Sequence, residues 1–301
     1  MELHLVHSGT EAPLTLLAMN NRAVALRGLG RYDESVEILR QVVDVRDRTF
    51  PRPHFERASG LGNLANLLHL SGRTLEAEPL LRAALEEHIA SLPPGHHSTA
   101  RSRYLLGTFL VAEGRLEEAR KEAVSALADH RATLKPGHFN VVGDLLLLAE
   151  LDRLEGRFND AIVYAEEALS SATAAQGEDH PFTIQAALER AVIADLLHPD
   201  AESLLSLSDV VERAKRVFGE AHPITGDATL ALAEARLRRR DLRGARESLD
   251  VTTRIYESAF PSAPWRGALA RLLRDATSQS PLEGGLLDDR RQEVVDLVTV
   301  F

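Results

Sequence analysis

Apolar residues recur along this chain at three- and four-residue intervals, as in Val36, Leu39 and Val43, and again in Leu80, Leu81, Ala84 and Leu85. That spacing places them on one stripe of an α-helix, whereas a half-buried strand would alternate. The stripes come in pairs. A first helix is predicted over Thr15–Leu29 and again over Ser59–Leu70, and a second follows directly over Arg31–Arg46 and Thr74–Ile89. A loop such as Leu92-Pro93-Pro94-Gly95-His96 then stops the helix and opens the next pair.

The pair is a repeat. Gly30-Arg31-Tyr32-Asp33-Glu34-Ser35 returns as Gly72-Arg73 with Ala77, Gly114-Arg115 with Ala119, and Gly156-Arg157 with Ala161, each step being 42 residues. The phase continues without the glycine through His198 with Ser203 and Arg240 with Ala245. The glycine suits the left-handed position that ends a helix. A separate column holds His54, His96, His138, His180 and His222, five of the twelve histidines, and a third holds Gly9, Gly177 and Gly219. The register therefore runs without insertion from residue 9 to residue 252. Small residues mark where helices must approach closely: Ala23, Ala65, Gly107, Ala149 and Ala233 on first helices, and Ser35, Ala77, Ala119, Ala161, Ser203 and Ala245 on second helices.

Composition agrees. The 301 residues are 44% apolar but only 5% aromatic, and good helix formers dominate. A net charge of −10 disfavours nucleic acid, which needs clustered cations, and leaves room for a basic partner. With no cysteine, disulfides, thiolate metal sites and cysteine nucleophiles are excluded, and a cytoplasmic setting is expected. Neither a signal peptide nor a membrane span is read. Arginine far outnumbers lysine, a cue to GC-rich, bacterial coding.

The glycine before the turn, the residue two positions later (Tyr32, Leu116, Phe158, Leu242) and the small residue three beyond that resemble the tetratricopeptide repeat. The 42-residue spacing is similar to the kinesin light chain subtype, as are Ala77-Glu78-Pro79-Leu80-Leu81-Arg82-Ala83-Ala84-Leu85 and Gly177-Glu178-Asp179-His180-Pro181. HEAT-type repeats have a similar length but lack the Gly-x-x-x-x-Ala step. The resemblance implies an all-α fold, an α-α superhelical solenoid of about six helix pairs plus capping helices, with a concave face lined by first helices. The expected solenoid spans residues 1–278, with a partial repeat over 1–12 that reads as the end of a second helix. The chain thus reads as starting within a repeat, either capped there or continuing a longer protein. Trp265–Ala276 reads as a further first helix. Residues 279–301 contain an amphipathic segment, Leu286–Val300, expected to be a C-terminal cap or a partner helix.

In the kinesin light chain type, first-helix asparagines hold peptide backbone, for which an amide that donates and accepts is suited. Asn20 and Asn21 match in the first repeat, and Asn63 and Asn66 in the second. Later copies depart, with Tyr104-Leu105 and Thr108, then Leu146-Leu147 and Glu150, then Leu188-Glu189 and Val192. The peptide-binding set this implies is Asn20, Asn21, Arg27, Asn63, Asn66, His69, Tyr104, Thr108, Glu150 and Arg153. Toward the C-terminal end, Leu146, Leu188 and Leu230 make the groove more apolar or simply closer-packed, and Asp195 and Glu234 add charge.

Other constellations read as structure. Gly60-Leu61-Gly62-Asn63-Leu64-Ala65 matches a dinucleotide fingerprint but lies inside a first helix, without the strand that motif requires. One histidine per repeat, with helices roughly 8–10 Å apart, cannot converge on one metal ion; bonding to local backbone is expected instead. Arg236, Arg238, Arg239, Arg240, Arg243 and Arg246 read as a turn paired with Glu234, Asp241 and Glu247, or as a dock for an acidic tail. No acid–base pair, metal site or cofactor site is read, and no catalytic residue is assigned. The expected function is a non-catalytic scaffold that binds a protein or peptide in its groove. The alternatives are a regulatory segment of a larger signalling kinase or NTPase, and a receptor for a small molecule or signalling peptide. The oligomeric state is not legible.

Overall fold

The computed structural model describes residues 13–29, 31–259 and 268–278. Among these the chain is all helical: α1 Pro13–Gly28, α2 Tyr32–Thr49, α3 Phe55–Leu70, α4 Thr74–Ser91, α5 His97–Ala112, α6 Leu116–Thr133, α7 Phe139–Leu154, α8 Phe158–Gln176, α9 Pro181–Leu197, α10 Ala201–Phe218, α11 Pro223–Arg238, α12 Leu242–Ala259 and α13 Ala268–Ser278. The partial repeat over residues 1–12, Gly30 and the segment 279–301 lie outside the described residues, as does Trp265.

Five first helices, α3, α5, α7, α9 and α11, start on the histidine column. Nδ1 of His54, His96, His138, His180 and His222 accepts a hydrogen bond from the backbone N–H two residues on, at 3.1–3.3 Å. The histidine thereby satisfies one of the donors a helix start leaves open. This corrects the predicted start at Ser59. The cap at His54 opens α3 four residues earlier, at Phe55, where Phe55-Glu56-Arg57 carries no apolar periodicity. The expected local role of the histidines is the observed one.

The first helices α3, α5 and α7 end on the glycine column. Gly72, Gly114 and Gly156 have φ of 78°, 71° and 73°. The next residue's N–H reaches back to a carbonyl five residues earlier, as Arg73 to Leu68, Arg115 to Leu110 and Arg157 to Asp152, each at 2.8 Å. This is the paired closure of a left-handed helix end. In the sixth copy Arg240 takes the glycine's place with φ 62°, and Asp241 N–H still reaches Arg236 at 2.9 Å. At His198-Pro199-Asp200 the closure is replaced. Asp200 caps α10 by accepting from Ser203 N–H, and buried Asp195 accepts from Ser203 Oγ, Arg238 and Arg239. The arginine-rich turn therefore works largely inside the fold, with Asp195 as its main partner rather than the expected carboxylates alone. Arg236 also lies near Asp241 and Arg243 pairs with Glu247.

The helices form two compact units, within Met1–Lys135 and Pro136–Phe301. In the first, α1–α6 pack each on the next; in the second, α7–α13 do the same. First helices also touch across repeats, α3 on α5 in the first unit, and α7 on α9 and α9 on α11 in the second. First helices therefore converge on the inner face of each unit. The small-residue columns make this approach possible. Ala65, Ala149, Ala233, Ala77, Ala119, Ala161 and Ala245 are all fully buried, and Ala191, in the same first-helix column, joins them. Ser35 Oγ donates to the Ala23 carbonyl at 2.7 Å, tying the two columns together.

Candidate functional site

In the first unit, one polar chain crosses three first helices. Asn63 Nδ2 on α3 donates to Asn20 Oδ1 on α1 at 3.0 Å, and Arg101 Nη2 on α5 donates to Asn63 Oδ1 at 3.3 Å. The 42-residue register sets this ladder, because it returns equivalent turns of first helices to the same inner face. Leu17 and Val24 flank it on α1, 54% and 49% exposed. Arg101 is open to solvent on one side. The surrounding walls nonetheless strip water from its guanidinium and lower its pKa, and the like charge of Arg27 adds to that while Tyr104 opposes it. Neither Arg27 nor Arg101 has a carboxylate within 4.0 Å among the described residues.

The other expected groove residues of this unit sit differently. Asn21 is exposed, and Asn66 is half-buried with no hydrogen bond among the described residues. His69 packs its ring edge against Phe109 at 5.3 Å, with Nδ1 buried, so it serves packing as much as the groove. Thr108 Oγ1 donates to the Leu105 carbonyl of its own helix at 2.9 Å. Tyr104 lies beside Arg101. Arg101 was missed in the sequence. Its column holds Leu17 and Ser59 in the preceding repeats, so no repeated residue type marked it.

Glu150 and Arg153 belong to the second unit. There Arg153 Nε on α7 donates to Glu189 on α9 at 2.9 Å, while Glu150 stands 4.0 Å from Arg153. Glu150 is 43% exposed at its surface. Desolvation by the enclosing wall raises its pKa, and Glu189 raises it further against the pull of Arg153. Glu234 on α11 is raised by desolvation too, with Arg238 and Arg153 opposing. Among the described residues no cluster of three or more histidines and carboxylates is arranged to hold a metal ion, and no helix is long and apolar enough to cross a membrane.

Two family models, both described as tetratricopeptide repeat, match residues 15–56 and 56–133. No curated protein matches the chain by sequence. Among solved structures, the nearly identical TPR-like repeats of a Podosopora anserina protein assigned as a kinesin light chain are similar, at 22% identity and a TM-score of 0.56, over 67% of this chain and 95% of that one. A Rap protein complexed with Competence and Sporulation Factor is similar at 12% identity and a TM-score of 0.61, over 86% of this chain and 75% of that one. Aspartyl phosphate phosphatase F from Bacillus subtilis is similar at 12% identity and a TM-score of 0.59, over 95% and 77%. At these identities the likeness is one of fold.

Proposed function

The chain is a tetratricopeptide-repeat protein with repeats of the kinesin light chain-like type, and on that premise we propose that it is a non-catalytic scaffold holding a segment of a protein partner in the inner face of its first unit. The observation that carries this reading is the Asn20–Asn63–Arg101 ladder. Side-chain amides across successive first helices offer donors and acceptors at the spacing of the repeat, and a bound backbone needs both. Leu17 and Val24 add apolar contact. Arg27 and Arg101, like-charged and without a carboxylate, favour a segment that brings an acidic group. Within the proposed set, Asn21, Asn66 and Tyr104 line the same face, whereas His69 and Thr108 chiefly pack and close their own helices.

The test is capture of partners from native lysate by the unaltered chain and by an Asn20→Ala/Asn63→Ala/Arg101→Ala variant of equal thermal stability. A specific partner held by the first and lost by the second supports the reading. A partner recovered equally by both sinks it.

A further inference from the structure

The inner face of the second unit differs in chemistry from that of the first. Leu146 on α7, Leu188 on α9 and Leu230 on α11 fall in one column of the register, half-buried and side by side. Leu272 on α13 continues that column at 60% exposed. Leu188 and Val192 rest on the core beneath α9, and Leu230 on that beneath α11. The stripe is thus an anchored apolar surface with one side left open.

Carboxylates flank it. Glu150 and Glu234 occupy one column, on α7 and α11, with Val192 between them on α9. Most charged groups of this face are already matched. Arg153 bonds Glu189, and Arg238 and Arg239 bond Asp195. Glu150 has only the 4.0 Å contact with Arg153, and Glu234 has no ion pair among the described residues. Along that column the surface runs acid, apolar, acid, and Arg153, itself paired with Glu189, acts on both glutamates without closing an ion pair shorter than 4.0 Å to either. The raised pKa of both glutamates reflects the desolvation that a bound cation would offset.

We propose that the inner face of the second unit is a separate docking surface for an extended basic segment of a partner protein, its apolar side chain lying on Leu188 and Val192 and its two cations reaching Glu150 and Glu234. This rests on the reading of inner faces as binding surfaces, but on different residues and the opposite charge. Packed helices lie about 10 Å apart, so the two glutamates are separated by about 20 Å. An extended chain advances about 3.3 Å per residue, which sets the two cations about six residues apart.

The probe is a fluorescein-labelled peptide, Gly-Arg-Ser-Ser-Leu-Ser-Ser-Arg-Gly, with a control in which both arginines are glutamate. Anisotropy is measured with the whole chain, with Glu150→Gln/Glu234→Gln, and with Asn20→Ala/Asn63→Ala/Arg101→Ala. The expected result is binding of the basic peptide only, weakened about tenfold or more by the glutamate substitutions and unchanged by the first-unit substitutions. Failure of the unaltered chain to prefer the basic peptide overturns the proposal, and that comparison needs no variant to fold. So does a preference that survives in the glutamate variant, or one lost only in the first-unit variant. Loss of the first-unit reading would appear separately, as a lysate partner still held by the first-unit variant.

Discussion

Arg240 holds a backbone conformation that its side chain disfavours. Its φ of 62° is the left-handed value that Gly72, Gly114 and Gly156 adopt in the same column, and an L-residue there costs roughly 1–2 kcal/mol. Arg240→Gly is expected to stabilise the chain by about 1 kcal/mol, read as a higher urea midpoint at unchanged slope. Gly114→Ala should cost about as much. Nothing lies within 4 Å of the added Cβ, so that loss would be purely conformational. The glycine column was legible in the sequence because four copies repeat it. Its hidden continuation at Arg240 was not, since residue type no longer reports the backbone. The histidine column was legible as local backbone chemistry, and its atom, Nδ1, was supplied by the structure. An Nδ1 that accepts must carry no proton, so these caps need neutral rings. Burial lowers the pKa of His222, with Asp227 opposing. It also lowers that of His88, which sits between Ser59 and Ser102. The unfolded chain therefore takes up these protons first. Stability from the two groups is complete above about pH 6.5 and is lost as pH falls through their folded values. Glu150 and Glu234, raised in the fold, act with the opposite sign. The histidine share is isolated by His222→Asn, which keeps a capping acceptor. Denaturation midpoints at pH 7.5 and 5.5, about one unit either side of the free imidazole value, should fall less on acidification for the variant than for the unaltered chain.

At the scale of elements, the helix pairs were readable because apolar stripes and helix stops repeat in one register. Their first turns were not, because residues 55–57 are irregular and only the cap at His54 defines where α3 opens. Close packing between paired helices makes a sharp demand. Ala119 on α6 is fully buried in the small-residue column. Ala119→Leu should overpack it by about 1–3 kcal/mol, and an unchanged thermal melt would contradict the packing described. The turn between α9 and α10 is held from a distance, since Asp195 is bound by Arg238 and Arg239 from the following repeat. Asp195→Ala would leave two largely buried guanidinium groups without their carboxylate, Arg239 keeping only its bonds to the Ala235 and Asp200 carbonyls and to Ser203 Oγ, at a cost of about 3 kcal/mol by urea titration. No pattern in the sequence pointed to that network. Its partners lie 43 and 44 residues apart, and they meet only because stacking brings successive repeats into contact.

For the molecule as a whole, a net charge of −10 says nothing about where charge is unmatched. The asparagines of the first two repeats were visible in sequence as the polar part of a groove, and the leucines of later repeats as its apolar part. Asn21 and Asn63 share one column of the register and Leu146, Leu188 and Leu230 another, whereas the column of Arg101 holds no second arginine. Within the first unit, Arg27 and Arg101 present positive charge on a chain whose overall field is negative. An acidic segment binding there would be repelled at long range and attracted at contact. Salt screens the long-range part first, since its reach is about 10 Å at 0.1 M ionic strength. Raising salt from about 0.02 M to about 0.1 M should therefore speed association of an acidic ligand. Arg101→Glu would remove the contact attraction and add a repulsive charge beside Asn63. That change should shorten the bound lifetime about tenfold or more while altering association less. Stopped-flow mixing with the captured partner, or with its binding segment as a labelled peptide, measures both rates. If Arg101→Glu leaves dissociation unchanged, the ligand does not reach the ladder, and the inner face of the first unit is not where it is held.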